Sequence, residues 1–213
     1  MFIKQFFIGG DRNFAYLAAD ETSNEALIID PSYNPDIIVD FALQKNFIIK
    51  YIFNTHSHYD HTNGNTAIEN RVNVVPLLYG DTDTNSNTKI VDQAKLYLGN
   101  LPITIIHTPG HTQDSICILI EDALFTGDTL FVGKIGGTDL GEQAKAEYNS
   151  LHEKLLILPP ETRVFPGHNY GIAPESTIAA EKESNPFLLQ PDFESFVDLK
   201  KNWAEYKRKH GIA

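Results

Sequence analysis

A β-rich run, Phe47 to Phe53, leads without a break into Asn54-Thr55-His56-Ser57-His58-Tyr59-Asp60-His61, and no other junction constrains the chain so strongly. Three of the 8 histidines fall within six residues. Random placement would do this in a given window on the order of one time in a thousand. Residues just past a strand end point into the crevice above a sheet, where ligand sites of α/β folds gather. Uncharged histidine nitrogens and a carboxylate in that place are ligands for Zn²⁺ or Fe²⁺.

Three later fragments repeat the order of strand, sharp turn and ligand-type side chain. Ile103 to His107 enters Thr108-Pro109-Gly110-His111-Thr112, Ala123 to Thr126 enters Gly127-Asp128-Thr129, and Arg163 to Phe165 enters Pro166-Gly167-His168. Pro and Gly make tight turns and let backbones approach closely, so each turn can hold one side chain in a fixed direction. A lone His or Asp after a turn is more often a cap or a surface residue. Together the four segments supply seven candidate ligands: His56, His58, Asp60, His61, His111, Asp128 and His168. That is too many for one tetrahedral ion and a good number for two. Cys117 is the single cysteine, so no intrachain disulfide and no cysteine-built zinc site can form. Inside Ile116 to Ile120 it reads as a buried strand thiol rather than a nucleophile.

Apolar and alternating runs predict strands at Phe2 to Ile8, Phe14 to Ala19, Ala26 to Asp30, Phe47 to Phe53, Val72 to Val75, Ile103 to His107, Ser115 to Ile120, Ala123 to Thr126 and Arg163 to Phe165. Helical spacing predicts helices at Asp36 to Gln44, around Thr66 to Glu69, at Glu142 to Leu158 and at Glu194 to Lys209. Many short strands with a few interposed helices suggest an α/β protein with a mixed, largely antiparallel core. The polar stretch Gly80 to Thr88 reads as a solvated hairpin tip, with a flap over a site as the alternative. The 213 residues are expected to form one domain, 1–213, with 190–213 a C-terminal helical tail.

The pattern His56-x-His58-x-Asp60-His61, followed by His111, Asp128 and His168, resembles the metallo-β-lactamase superfamily over essentially the whole chain, from Phe2 to about Leu189. The resemblance implies a four-layer αββα sandwich of two mixed sheets with a metal site in the cleft at their edges. In binuclear members of that family His56, His58 and His111 would hold one ion and Asp60, His61 and His168 a second, with Asp128 bridging them. The same ligands accept zinc, iron or manganese, and zinc is the expected pair. Two divalent cations outweigh the two carboxylates and a bridging hydroxide, so the site is locally positive. Bound water then ionises near neutral pH, and a nucleophile is available without serine or cysteine. Asp60 is the candidate catalytic carboxylate, able to orient water or accept a proton.

Gly127-Asp128-Thr129-Leu130-Phe131-Val132 and Leu158 to Tyr170 resemble glyoxalase II and related thioester hydrolases acting on S-acylglutathione. That likeness implies cleavage of a thioester such as S-lactoylglutathione and places Tyr170 against the substrate. Glu181 to Pro186 is similar to a segment shared with persulfide dioxygenases, which use one iron held by the residues matching His56, His111 and Asp128. An iron-dependent dioxygenase is therefore the first alternative, and a non-enzymatic binding module or another hydrolase of this fold the next. Where these families carry Gly-Cys-Gly-Arg or Gly-Cys-Gly-Lys, this chain has Lys134-Ile135-Gly136-Gly137, and Lys134 is the nearby cation for an anionic substrate.

Lys and Arg total 17 against 28 Asp and Glu, a formal charge of −11. Nucleic acid is thereby disfavoured as a partner, because phosphate binding needs a basic face. No run approaches the roughly 20 apolar residues of a membrane span, and the first ten residues lack the layout of a signal peptide. A cytoplasmic enzyme with a small anionic substrate, such as a glutathione conjugate, is the expectation. The basic tail from Lys200 and Lys201 to Lys209 reads as a solvated helix packing Trp203 and Tyr206, with a face for an anionic substrate as the alternative. His107 reads as a strand residue or a support for a ligand, and His152 and His210 as exposed. Asp30, closing an apolar strand, either supports a ligand histidine or caps its turn.

Overall fold

The computed structural model describes residues 1–211; Ile212 and Ala213, the end of the expected tail, lie outside the described residues. The first sheet holds β1 (Phe2–Gly9), β2 (Asn13–Ala19), β3 (Glu25–Ile29), β4 (Ile48–Phe53) and β5 (Pro76–Leu77) in that order. The β1–β2 and β2–β3 pairs are antiparallel, and β3–β4 and β4–β5 are parallel. A short hairpin, β6 (Thr82–Asp83) with β7 (Thr88–Lys89), follows as an exposed tip.

The second sheet contains β8 (Lys95–Leu98), β9 (Leu101–His107), β10 (Ile116–Ile120) and β11 (Ala123–Gly127). After the small β12 (Leu130–Phe131) and β13 (Lys134–Ile135) ribbon, β14 (Arg163–Pro166) and β15 (Ser176–Thr177) complete it in the order β15-β14-β11-β10-β9-β8. Within this sheet β11–β14 is parallel and its other pairs are antiparallel. Both sheets are mixed, as the strand pattern suggested.

Side-chain alternation explains the layering. On β2, Phe14, Tyr16 and Ala18 face one way and Ala15, Leu17 and Ala19 the other, and all six are buried. The first set meets Ile116, Ile118 and Ile120 of β10 and Phe125 of β11 between the two sheets. The second set packs with Ile38, Val39 and Ala42 of α1 (Pro35–Gln44) and Ile68 of α3 (Asn65–Val72), the helices flanking the short α2 (Tyr59–Thr62). On the far side, Cys117 and Leu124 lie against Leu151, Leu155, Ile178, Phe196 and Leu199. Those come from the π-helical segment Ser150–Leu155 after α4 (Glu142–Asn149), from α5 (Ile178–Ser184) and from α6 (Phe193–Lys201). Three apolar interfaces thus separate four layers, helices, sheet, sheet, helices, the expected αββα sandwich.

Several boundaries differ from the sequence reading. Val72 to Val75 is not a strand: α3 runs through Val72, Asn73 closes it in the left-handed region at φ 55°, and pairing begins only at Pro76. Left-handed Asn is a favourable helix end, so the apolar valines beyond it belong to the exit turn. The helix expected over Glu142 to Leu158 changes to π-helical hydrogen bonding at Ser150. Glu194 to Lys209 is two helices, α6 and α7 (Trp203–His210), broken at Asn202, whose φ of −103° and ψ of 15° leave the helical region.

Parallel pairing brings the C-terminal ends of β3 and β4 together, and those of β11 and β14. Because β9 and β11 both run antiparallel to β10, β9 ends on the same side. Phe14 N donates to Gly167 O at 2.8 Å and Ile116 N to Thr55 O at 2.8 Å, closing the two sheets at this edge.

Candidate metal centre

Four strand ends deliver the seven predicted side chains to one place. His56, His58, Asp60 and His61 follow β4, His111 follows β9, Asp128 follows β11 and His168 follows β14. Gly127 sits at φ +48°, and a Cβ there would lie 2.4 Å from Thr55 Oγ1. Only glycine allows both that backbone shape and the close approach of the β4 exit, so the turn carrying Asp128 can press against the turn carrying the histidines.

The ligand atoms fall into two groups around Asp128. His56 Nε2 and His111 Nε2 each lie 3.0 Å from His58 Nδ1. Nitrogens bound about 2.05 Å from a tetrahedral zinc would be roughly 3.3 Å apart, so this trio is already near ligand spacing. His61 Nε2 and His168 Nε2 lie 3.2 Å apart, and His168 Nε2 is 3.4 Å from Asp60 Oδ2. Asp128 Oδ1 is 3.3 Å from His61 Nε2, while Asp128 Oδ2 is 3.3 Å from His168 Nε2 and 3.6 Å from His111 Nε2. Asp128 therefore spans both groups.

Hydrogen bonds from behind orient four of the five rings. Asp30 Oδ2 accepts from His61 Nδ1 at 2.9 Å, which settles the two readings of Asp30 in favour of support for that histidine. The same carboxylate accepts from Thr55 N and Thr55 Oγ1, both at 2.8 Å, and Thr55 Oγ1 meets His56 Nδ1 at 3.2 Å. Gly137 O accepts from His111 Nδ1 at 2.8 Å and Asp11 O from His168 Nδ1 at 2.9 Å. These partners occupy Nδ1 of His56, His61, His111 and His168, which leaves Nε2 of those four rings as the nitrogen facing the centre.

The charge state suits a cation. Burial pushes His56 down to about 3, keeping it neutral. Asp128 is held well below the usual carboxylate range because His61 and His168 outweigh its burial. Asp60, whose burial would raise it, is lowered by Asn13 and the same two histidines. One fact tests the fit directly: Asp128 Oδ1 is buried and makes no hydrogen bond. An ionised oxygen with only the His61 nitrogen at 3.3 Å beside it, and no formed hydrogen bond, is costly in a protein interior, and a divalent ion is the partner its neighbours are spaced to share. The residues fit a pair of metal ions.

Beside the cluster, His111 and Asp128 open onto a cavity of about 460 Å³ lined also by Phe131, Lys134, Ile135, Tyr170, Lys200 and Trp203. Lys134 and Tyr170 both line this cavity. Tyr170 OH donates to Asp11 Oδ2 at 2.6 Å and its ring stacks on His168 at 4.6 Å. Burial lowers Lys134, and the cations of Lys207 and Arg12 beside it lower it further, so this acidic protein concentrates positive charge at the cavity.

Other sequence expectations meet different fates. His107 stacks on Tyr79 at 3.9 Å and donates from Nε2 to Gln113 O, apart from the metal cluster. His210 is exposed, whereas His152 is half-buried against Tyr148 at 4.1 Å. Lys200 is not on a solvated face: its side chain is 7% exposed and pairs with Glu147. Amphipathic spacing finds the apolar stripe of a helix but not a basic residue at the edge of that stripe. Sequence reasoning also passed over Asn13, whose Nδ2 donates to Asp60 Oδ2 at 3.0 Å and Asp60 O at 3.1 Å. The available signal was a polar residue heading an otherwise apolar strand.

Comparison with known proteins agrees with this geometry. Residues 8–168 match the family described as the metallo-beta-lactamase superfamily. A hydroxyacylglutathione hydrolase, the cytoplasmic isozyme of Saccharomyces cerevisiae, is 36% identical over 187 residues, covering 79% of this chain and 68% of its own. A probable polyketide biosynthesis zinc-dependent hydrolase of Bacillus velezensis, BaeB, is 29% identical over 195 residues, covering 88% of this chain and 87% of its own. The crystal structure of ETHE1 from Myxococcus xanthus superposes with a TM-score of 0.85 at 32% identity, over 95% of this chain and 91% of that one.

Proposed function

Because this chain belongs to the metallo-β-lactamase superfamily, we propose that it is a metal-dependent hydrolase that cleaves the thioester of a small anionic thiol such as S-lactoylglutathione. The observation that carries this reading is the seven-residue cluster opening onto a cavity whose walls combine Lys134 with Phe131, Ile135 and Trp203. His56 Nε2, His58 Nδ1 and His111 Nε2 would hold one ion, and Asp60, His61 and His168 the other, with Asp128 within reach of both groups. Zinc is the expected metal, the one named for the BaeB relative. Bound there, two divalent cations supply Lewis acidity for a thioester carbonyl and an activated water.

The chain's own groups do the rest. Lys134 presents an ammonium to the anionic end of the substrate, and the Tyr170 ring flanks it. Phe131, Ile135 and Trp203 exclude water from the cavity wall, which strengthens each charge interaction inside it. Asp60 is held ionised, and Asn13 fixes its Oδ2 edge, so this carboxylate is oriented to accept a proton. A thiolate leaving group needs no proton from the protein to depart.

The test is turnover by the full chain supplied with zinc. Thiol should be released from S-lactoylglutathione with two ions bound per chain. His58→Ala should cost more than about 100-fold in rate, beyond what a residue supporting a ligand costs. An undiminished rate in that variant overturns the site. One iron per chain, with oxygen consumed in the presence of glutathione persulfide, replaces the hydrolase with an iron-dependent dioxygenase.

A further inference from the structure

Lys200 reaches from α6 into the space between the two segments that hold His111. Its Nζ donates to Gly136 O at 3.1 Å and to Glu147 Oε2 on α4. Glu147 is 1% exposed and stands directly behind Gly110, where a Cβ would come within 2.4 Å of the Glu147 Cβ. On the other side of the imidazole, a Cβ on Gly136 would approach the His111 Cβ to 3.1 Å and Asp128 O to 2.1 Å. The next carbonyl, Gly137 O, accepts from His111 Nδ1. His111 is thus gripped between the α4 wall and the Gly136-Gly137 turn, and one ammonium ties the wall to the turn.

We propose that Lys200 is a positioning residue for His111, locking the Gly137 carbonyl where it fixes the ring's tautomer and aims Nε2 at His56 and His58. The inference rests on the metal role given to His111 above. Stability alone explains the pair poorly: a buried ion pair is often no more stabilising than apolar side chains of equal volume, while losing one partner strands the other charge. The Gly136 carbonyl contact is what an apolar substitute cannot supply, and it sits one residue from the acceptor of His111. The metal centre therefore depends on a helix some ninety residues further along the chain, although no atom of that helix is a ligand.

The experiment compares Lys200→Met and the double variant Lys200→Met/Glu147→Leu with the unmodified full chain. The single variant leaves Glu147 buried without a partner and tests the fold as much as the latch; the double variant replaces the pair by an apolar one. In the double variant the thermal midpoint should stay close to that of the unmodified chain. Zinc at the histidine trio, identified as the ion lost in His58→Ala, should bind at least about tenfold more weakly while the other ion is unaffected. In the metal-free chain the His111 Nδ1–H resonance should broaden or shift as its hydrogen bond to Gly137 loosens. Wild-type zinc affinity with an unchanged His111 resonance in the double variant overturns the proposal. A chain that takes up no zinc overturns the hydrolase reading, and the metal-free resonance still decides whether Lys200 positions His111.

Discussion

Asp30 Oδ2 lies 2.9 Å from His61 Nδ1, with both side chains almost fully buried. Asp30 is itself held at φ +51°, a left-handed shape that non-glycine residues adopt at a cost, and Thr55 donates to it twice. Asp30→Asn keeps the shape of the side chain but presents an amide where His61 needs an acceptor. It should weaken the ion at Asp60, His61 and His168 by about 10- to 100-fold, with a smaller change at the histidine trio. Zinc titration against a competing chelator measures both.

Metal uptake should release protons from one half of the centre. In the metal-free protein burial opposes protonation of His61, but Asp30 and Asp128 raise it well above the usual histidine value. Asp128 likewise outweighs burial at His168. A raised folded value stabilises the metal-free fold below about pH 6.5, and that contribution is lost as pH climbs through the raised value. An incoming ion must displace those protons, so its affinity should fall on acidification. His56, neutral down to about 3, and His111, also lowered by burial, carry no such proton to displace. Calorimetric titration in buffers of different ionisation enthalpy should show proton release; a heat independent of buffer would contradict it.

Glu147 should make stability fall with pH. Burial raises its carboxyl from 4.5 to about 7 despite the Lys200 ammonium. The folded state thus holds a proton that the unfolded chain releases, which favours folding below about pH 4.5 and is lost as pH rises toward 7. The difference is on the order of 3 kcal/mol at most by that shift. Chemical denaturation of the chain and of Glu147→Gln at pH 5 and 8 checks it: the loss of stability between the two pH values should be smaller in Glu147→Gln, by up to that amount, and an equal loss would contradict it.

Cys117 should be silent in catalysis. It is fully buried between β10 and the C-terminal helices, and burial pushes its thiol up to about 12. Cys117→Ala should retain activity within about twofold and lose on the order of 1 kcal/mol of stability from the small cavity. Iodoacetamide at pH 8 should leave the native chain unmodified and label it only after unfolding.

The candidate ligands were legible because each follows a strand end and a tight turn, both local features. The strands were legible because period-2 alternation and unbroken apolar runs are written in neighbouring residues, as in Phe14 to Ala19. Val72 to Val75 misled because an apolar run this short fits a strand or a helix end equally well, and the left-handed Asn73 decided between them. Lys200 misled because its burial depends on where α4 lies, which nothing within α6 states.

Residue types and their order determined which atoms this chain can offer a metal: five imidazoles and two carboxylates past four turns, with a single cysteine outside them. Tertiary structure alone decided what aims those atoms. Asp30 supports His61 across 31 residues, Gly137 supports His111 across 26 and Asp11 supports His168 across 157. Such pairings follow from sheet order and helix packing, where burial removes competing water and makes each hydrogen bond decisive. Local sequence period carries no record of which distant carbonyl or carboxylate the packing will bring to a ring.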